Sequence, residues 1–295
     1  NKPILEKQSF IEYDGTGEIY AALVLGTKDY VHKCGFKKTI VALSGGIDSS
    51  LVTTIAVDAL GIDNVTAISL PSKYSSKSSI DDAELLSSNL GIKLLTIPIN
   101  PSVNVFTKTL ESYLENINDD LTDQNVQSRI RGLIMMALSN NSGSLVLTTG
   151  NKSEMAVGYA TIYGDMAGGY SVIKDVPKTL VYKLAYYRNT IGKPVIPTSV
   201  LLKAPSAELK PNQKDQDFLP EYDVLDEILK EYIENDNSPI EISEKGFPLE
   251  LVDKIIAMVD RNEYKRQQAA PGIKITSKNF GRDRRMPISN RFRIN

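Results

Sequence analysis

The chain has 295 residues and a net charge of −2, with 34 Lys and Arg against 36 Asp and Glu, so no global basic field points to nucleic acid as a partner. A lone cysteine, Cys34, excludes an internal disulfide and suits a reducing cytoplasm, and a lone histidine, His32, excludes a multi-His metal centre. No apolar run is long enough to span a bilayer and no signal peptide is visible, while the length suffices for one large α/β domain with a helical extension.

Residues 1–14 read as a linker and 15–295 as one domain, and a start at Asn1 rather than Met suggests a processed or partial chain. Residues 17–33 read as an amphipathic helix with Ile19, Leu23 and Tyr30 on one face. Short β-branched or apolar runs at 39–43, 65–70, 94–99 and 145–149 read as strands, separated by helical patterns at 47–60, 80–90 and 121–140. That alternation predicts a doubly wound parallel sheet of the α/β class, covered on both faces. Gly150 turns the chain after the fourth run, and 151–154 open a helix. The Gly-rich stretch 159–169 reads as irregular. A helix is expected over 177–191, with Asp175 near its start and Gly192 after its end. The polar, Pro-containing stretch 203–220 reads as a long loop or lid, followed by helices at 222–234 and 249–266 and a basic, aperiodic tail at 281–295.

The most informative stretch joins the first strand to its helix. Ser44, Gly45 and Gly46 break the strand, Ile47 resumes helical spacing, and Ser49 and Ser50 add hydroxyls. Turn amides and a helix N-terminus aimed at one spot make an anion site, and the glycines admit a phosphate close to the backbone. The common phosphate loop ends in Gly-Lys-Ser/Thr; here Asp48 sits inside the turn instead. A carboxylate beside phosphates needs a bridging cation, which implies Mg²⁺; the plain alternative is a Gly-rich turn with a solvated aspartate. Glu154, near a helix start, reads by itself as a capping residue. Set across the sheet from Asp48, it reads as a second carboxylate for one or two Mg²⁺ ions. In parallel sheets ligands sit beyond the C-terminal strand ends, so Ser44, the 71–79 loop and 150–154 are expected to converge.

SGGxDS resembles the signature of the ATP pyrophosphatases, whose adenine-nucleotide hydrolase-like fold splits ATP between its α- and β-phosphates. The blocks SGGIDSS, LTDQNVQSRIRG, LTTGNKSEMAVGYATIYGDMAGG, IKDVPKT, APSAELKP, YDVLD and NEYKRQ together resemble the NAD⁺ synthetase family, and are closest to the synthetase domain of its glutamine-dependent, two-domain branch. The resemblance implies amidation of deamido-NAD⁺ by ATP, Mg²⁺ and ammonia, the ammonia being supplied by an amidase domain that this chain lacks. It implies ATP contacts at Ser44, Gly45, Gly46, Asp48, Ser49, Thr149, Lys178 and, from a mobile loop, Ser206, with Asp48 and Glu154 on Mg²⁺. It places Asp165 near the ammonia site as a proton acceptor and Lys178 as the neutraliser of phosphate charge. It puts Asn125, Arg129, Arg131, Glu154, Tyr264 and Lys265 around deamido-NAD⁺. Arg129 and Arg131 are two residues apart and do not share a helix face, so one at most is expected to meet the dinucleotide. The ammonia-only branch often carries an Asp where this chain has Gly169, and that role is not transferred. The basic residues Arg282, Arg284 and Arg285 are left out of the site. Leu133 to Leu138 are six consecutive apolar residues, which together with the resemblance predicts a homodimer, or a higher homo-oligomer, built on the 121–140 helix. The alternatives are another ATP pyrophosphatase, GMP synthetase-like or tRNA-modifying, and a non-catalytic adenine-nucleotide-binding module.

Overall fold

The computed structural model describes residues 15–113, 120–211 and 213–289; the expected 1–14 linker and the end of the basic tail lie outside them. Four strands, β1 (Thr39–Ala42), β2 (Val65–Ser69), β3 (Lys93–Thr96) and β4 (Leu145–Thr148), fall where the apolar runs lie. A fifth, β5 (Tyr170–Ser171), is two residues long and was not expected; a pair of residues is too short for periodicity to mark. All five pair in parallel, in the order β3-β2-β1-β4-β5. The chain winds from β1 to one edge and then returns to the other. The strand order therefore reverses between β1 and β4, where a crevice opens beyond the strand ends.

Alternate strand residues serve opposite layers. Val41, Ala67, Leu145 and Leu147 pack into the larger core beneath α1 (Gly15–Lys33), α2 (Ile47–Leu60), α3 (Lys77–Leu90) and α7 (Lys178–Thr190). Ile40, Ile68 and Val146 face α4 (Asn100–Leu110) and α5 (Asp120–Ser142). A third core joins α6 (Lys152–Val157) to α9 (Tyr222–Ile233), α10 (Pro239–Ser243) and α11 (Leu249–Arg261). Short α8 (Thr198–Leu202) packs against α2 and α7. Among the described residues, no helix is long and apolar enough to cross a membrane.

Some expectations need correction. The third strand ends at Thr96 rather than at residue 99. In α1 the buried face is Tyr20, Leu23, Thr27 and Val31, with Ile19 and Tyr30 at its margin. The Tyr20 hydroxyl rotates that face inward by donating to Asp58, at 2.6 Å. The helix expected over 249–266 stops at Arg261 and restarts as α12 (Glu263–Arg266). Asn262 breaks it because its Nδ2 reaches the Val157 carbonyl at the end of α6, at 2.9 Å. The apolar run in α5 is covered on one side alone: Met135 is buried, whereas Leu133 is 70% and Met136 38% exposed.

Candidate active site

The turn after β1 has the shape the glycines permit. Gly45 sits at φ +79°, and a Cβ there would lie 2.1 Å from the Ser79 carbonyl oxygen, so only glycine fits. The first turn of α3 thereby packs directly on this turn. The Gly46 N–H donates to Ser44 Oγ at 3.3 Å, the Ser44 N–H donates to Ser49 Oγ at 3.2 Å, and Ser49 Oγ donates to the Gly46 carbonyl at 3.0 Å. Ser49 is buried and Ser44 is exposed, so Ser49 braces the turn while Ser44 faces the crevice. Gly46 caps α2 without a side-chain bond to its N–H groups. Those amides and the positive end of the helix dipole are left for an anion.

Across the crevice, Asn151 caps α6. Its side chain accepts from the Glu154 N–H at 2.9 Å, and Glu154 reaches back to the Asn151 N–H in a capping box. Asn151 Nδ2 also donates to Asp48 Oδ1 at 2.8 Å and joins the two halves of the site. Glu154 thus performs the capping role read from its sequence, and its other oxygen meets Lys178. The Lys178 ammonium lies 2.5 Å from Asp48 Oδ2 and 3.2 Å from Glu154 Oε1. Lys178 is the first residue of α7 and is 2% exposed, so it is no solvated surface lysine. Its Nζ also sits 5.2 Å from the Tyr222 ring centre.

The electrostatics follow from this crowding. Burial would depress the Lys178 ammonium, but Asp48 and Glu154 reverse that and hold its pKa above the ordinary value. Glu154 is pushed up to about 8, first by burial and then by Asp48 and Asp215, against the lowering by Lys178. One lysine cannot neutralise three carboxylates in one crevice. Asp48 and Glu154 are 17% and 18% exposed, so their free lone pairs face the cleft.

Asp165 stands on the next wall. Its Oδ1 accepts from the Thr161 N–H at 2.7 Å and from Ser128 Oγ at 3.3 Å. Surrounding protein pushes its carboxyl up, and those two donors lower it again; the side chain keeps an open side to solvent. Asp165 lines a cavity of about 10 Å³ with Thr148, Ser171 and Met155, room for one molecule the size of water. Thr149 lies half-buried at the β4 end of the same wall.

The α5 residues divide as their spacing requires. Arg131 is half-buried, donates to the Leu70 carbonyl at 3.0 Å and is lowered to about 10, chiefly by burial. Arg129 is exposed and donates to the Ile162 carbonyl at 3.2 Å, and Asn125 accepts from Thr161 Oγ1 at 2.9 Å. Lys265 donates to the Gly158 and Ala160 carbonyls at 2.7 and 2.9 Å, which makes it a brace for the turn after α6; Tyr264 beside it is exposed. Ser206 turns its hydroxyl to the Gln213 carbonyl, at 2.5 Å, within its own loop. Glu208 fastens that loop to the start of α3, accepting from Ser76 Oγ and Ser79 Oγ at 2.8 and 2.7 Å.

Several contributors were not foreseen. Asn151, Asp215, Tyr222 and Asp226 all bear on the Lys178 cluster. Asp215, from the 203–220 loop, accepts from the Tyr222 hydroxyl at 2.8 Å. The sequence signal was present for Asn151, an N-cap residue three before Glu154. Tyr222 and Asp226 lie in the YDVLD block, which marked the family but gave them no role, and Asp215 carries no local signature.

The sequence matches the family described as NAD synthase over residues 19–269. A glutamine-dependent NAD(+) synthetase of Thermotoga maritima is 53% identical over 277 residues, which are 94% of this chain and 48% of that protein. The solved glutamine-dependent NAD⁺ synthetase of Acinetobacter baumannii, in complex with ADP, is 47% identical with a TM-score of 0.65, covering 96% of this chain and 52% of that one. The NH₃-dependent NAD synthetase of Campylobacter jejuni is 28% identical with a TM-score of 0.69, covering 86% of this chain and 97% of that one. The chain spans about half the length of the curated relatives it matches. The doubly wound sheet is the adenine-nucleotide hydrolase-like fold of these neighbours.

Proposed function

The chain belongs to the NAD synthase family, and on that premise we propose that it amidates deamido-NAD⁺ to NAD⁺, consuming ATP and ammonia and releasing AMP and pyrophosphate. The observation that carries this reading is the buried Lys178 ammonium between Asp48 and Glu154, with Asp48 in the first turn of α2, a helix start that no side chain caps.

The nicotinate carboxylate is resonance-stabilised and inert to ammonia. In the first step its oxygen attacks the α-phosphorus of ATP, and the bond to the β-phosphate breaks. Two anions meet, so the amides of the turn and Lys178 supply the positive potential that lowers the barrier. In the second step ammonia attacks the acyl carbon and AMP leaves with the bonding pair. Asp165 takes the proton released by the attacking nitrogen. The cavity beside it admits one small molecule, which suits ammonia and limits the water that would hydrolyse the adenylate.

Asp48 and Glu154 would hold Mg²⁺, which when bound neutralises phosphate charge. The residues fit: both are hard oxygen donors, and both already converge on one cation, the Lys178 ammonium. Mg²⁺ commonly takes one or two carboxylates, with substrate phosphates and water completing its shell. Deamido-NAD⁺ would lie along Asn125, the exposed Arg129 and Tyr264, with Arg131 engaged by the Leu70 carbonyl and Thr149 and Ser206 on ATP. The exposed Leu133 and Met136 face of α5 supports a homodimer. An amidase domain of the kind that makes relatives glutamine-dependent would supply the ammonia, in a cytoplasmic setting.

The test incubates the chain with deamido-NAD⁺, ATP, Mg²⁺ and either ammonium or glutamine. Stoichiometric NAD⁺ and AMP with ammonium, and not with glutamine, is the expected result. Pyrophosphate release without NAD⁺ would transfer the chain to another ATP pyrophosphatase activity, and no nucleotide turnover would leave a binding module. Sedimentation at micromolar concentration showing fully active monomers would remove the dimer.

A further inference from the structure

The helix that carries Lys178 is capped from outside itself. Pro177 precedes it and offers no side-chain cap. Instead, the Lys178 N–H donates to Ser153 Oγ at 2.9 Å, and the Thr179 N–H and hydroxyl both donate to Asp226 Oδ2 at 2.8 Å. Ser153 Oγ in turn donates to Asp226 Oδ1. Ser153 is in the first turn of α6, Thr179 in the first turn of α7 and Asp226 in α9. One carboxylate therefore ties two helix starts to a third helix. The neighbours of its two partners are the reacting cluster, since Glu154 follows Ser153 and Lys178 precedes Thr179. Resting on the adenylation reading above, we propose that Asp226 is a positioning residue that sets the register of α6 against α7. In that role it holds the Lys178 ammonium against Glu154 and Asp48.

A carboxylate suits this position better than any neutral group. Its two oxygens accept donors from both helices at once, and its charge complements the positive ends of both helix dipoles. An asparagine keeps the size but must turn an N–H₂ towards one of three donors. A role confined to capping would reduce the folded fraction and leave each folded molecule fully competent. A positioning role moves the ammonium, and a misplacement of about 1 Å at a reacting centre costs roughly 10²-fold in rate.

The experiment uses the whole chain with Asp226→Asn and the milder Thr179→Val, rates being expressed per folded molecule. Asp226→Asn is expected to lower kcat for AMP formation by roughly 10²-fold while the KM for ATP and the Kd of α,β-methylene-ATP stay within about threefold. Thr179→Val, which removes a single hydroxyl bond, is expected to fall in the same sense by several-fold. In a Lys178→Ala background Asp226→Asn should add nothing, because both act through one group. An activity-free readout accompanies these. Competitive acetylation followed by mass spectrometry should show Lys178 labelled about tenfold faster in Asp226→Asn, against buried Lys152 as internal standard. Unchanged kcat with unchanged labelling, or an equal loss in the Lys178→Ala background, would overturn the proposal. A parent chain that makes no NAD⁺ would defeat the functional reading alone, and the labelling ratio would still decide where Asp226 places Lys178.

Discussion

Two buried lysines each begin a helix, Lys152 at the start of α6 and Lys178 at the start of α7, and have nearly the same first description. Lys152 lies 3.2 Å from Asp175 and 3.0 Å from Glu234; Lys178 lies 2.5 Å from Asp48 and 3.2 Å from Glu154. The difference is in what completes each shell. Lys152 also donates to Thr276 Oγ1 at 2.6 Å and to the Lys278 carbonyl at 2.9 Å, so its ammonium is surrounded by protein acceptors. Asp175 in turn accepts the Ile275 and Thr276 N–H groups, both at 2.9 Å. That cluster straps the C-terminal segment across α6, with Asp175 buried among its partners. The Lys178 cluster keeps partly open carboxylates and a surplus of negative charge at the mouth of a phosphate-type turn. Burial and ion pairing are common to both lysines. On the function proposed above, unspent coordination separates the reactive lysine from the structural one.

This contrast can be broken by substitution. The largest effect is expected from Lys152→Met, which strips the cation from buried Asp175 and half-buried Glu234. Such a loss typically costs ~3–5 kcal/mol of stability. Denaturant unfolding should show it, while kcat per folded molecule stays within about twofold. Lys178→Met should behave in the opposite way. Stability should change little, because the carboxylates it leaves are partly solvated, and adenylation measured by pyrophosphate release should fall by ~10²–10³. If the two variants exchanged these phenotypes, the assignment of structural and reactive lysine would be reversed.

Gly45→Ala probes the turn below the Lys178 cluster. Its φ of +79° and its contact with the Ser79 carbonyl force the backbone to move. A cost of ~1–3 kcal/mol is expected, together with weaker ATP binding by calorimetry and unchanged behaviour at the Lys152 strap. The smallest effect concerns pH. Glu154 is raised from 4.5 to about 8, so between those values the folded chain keeps a proton that the unfolded chain has lost. Stability therefore falls as pH rises through that window. Glu154→Gln removes the penalty, so its stability relative to the parent should rise from pH 5 to pH 8. The sign of that change, a larger gain at pH 8 than at pH 5, is the expected outcome. Unfolding curves in EDTA at the two pH values check the sign.

What could be read from residue order is what local physics controls. Alternating short apolar runs and helical periods predicted the parallel sheet, and α2 begins and ends at the expected residues, Ile47 and Leu60. Two adjacent glycines after a strand predicted a tight turn there, and Gly45 takes the positive φ that such a turn needs. These depend on neighbours within a few positions, where backbone freedom and side-chain period act directly. The tertiary structure decided the rest. Lys178 meets Asp48 across 130 positions and Glu154 across 24, and Asn151 meets Asp48 across 103. Nothing in the period of a helix states which carboxylate a lysine will find at such separations. The break at Asn262, the two-residue β5 and the turned hydroxyl of Ser206 have the same origin. Each is set by a partner that only packing brings near, and the free energy of that contact overrides local propensity.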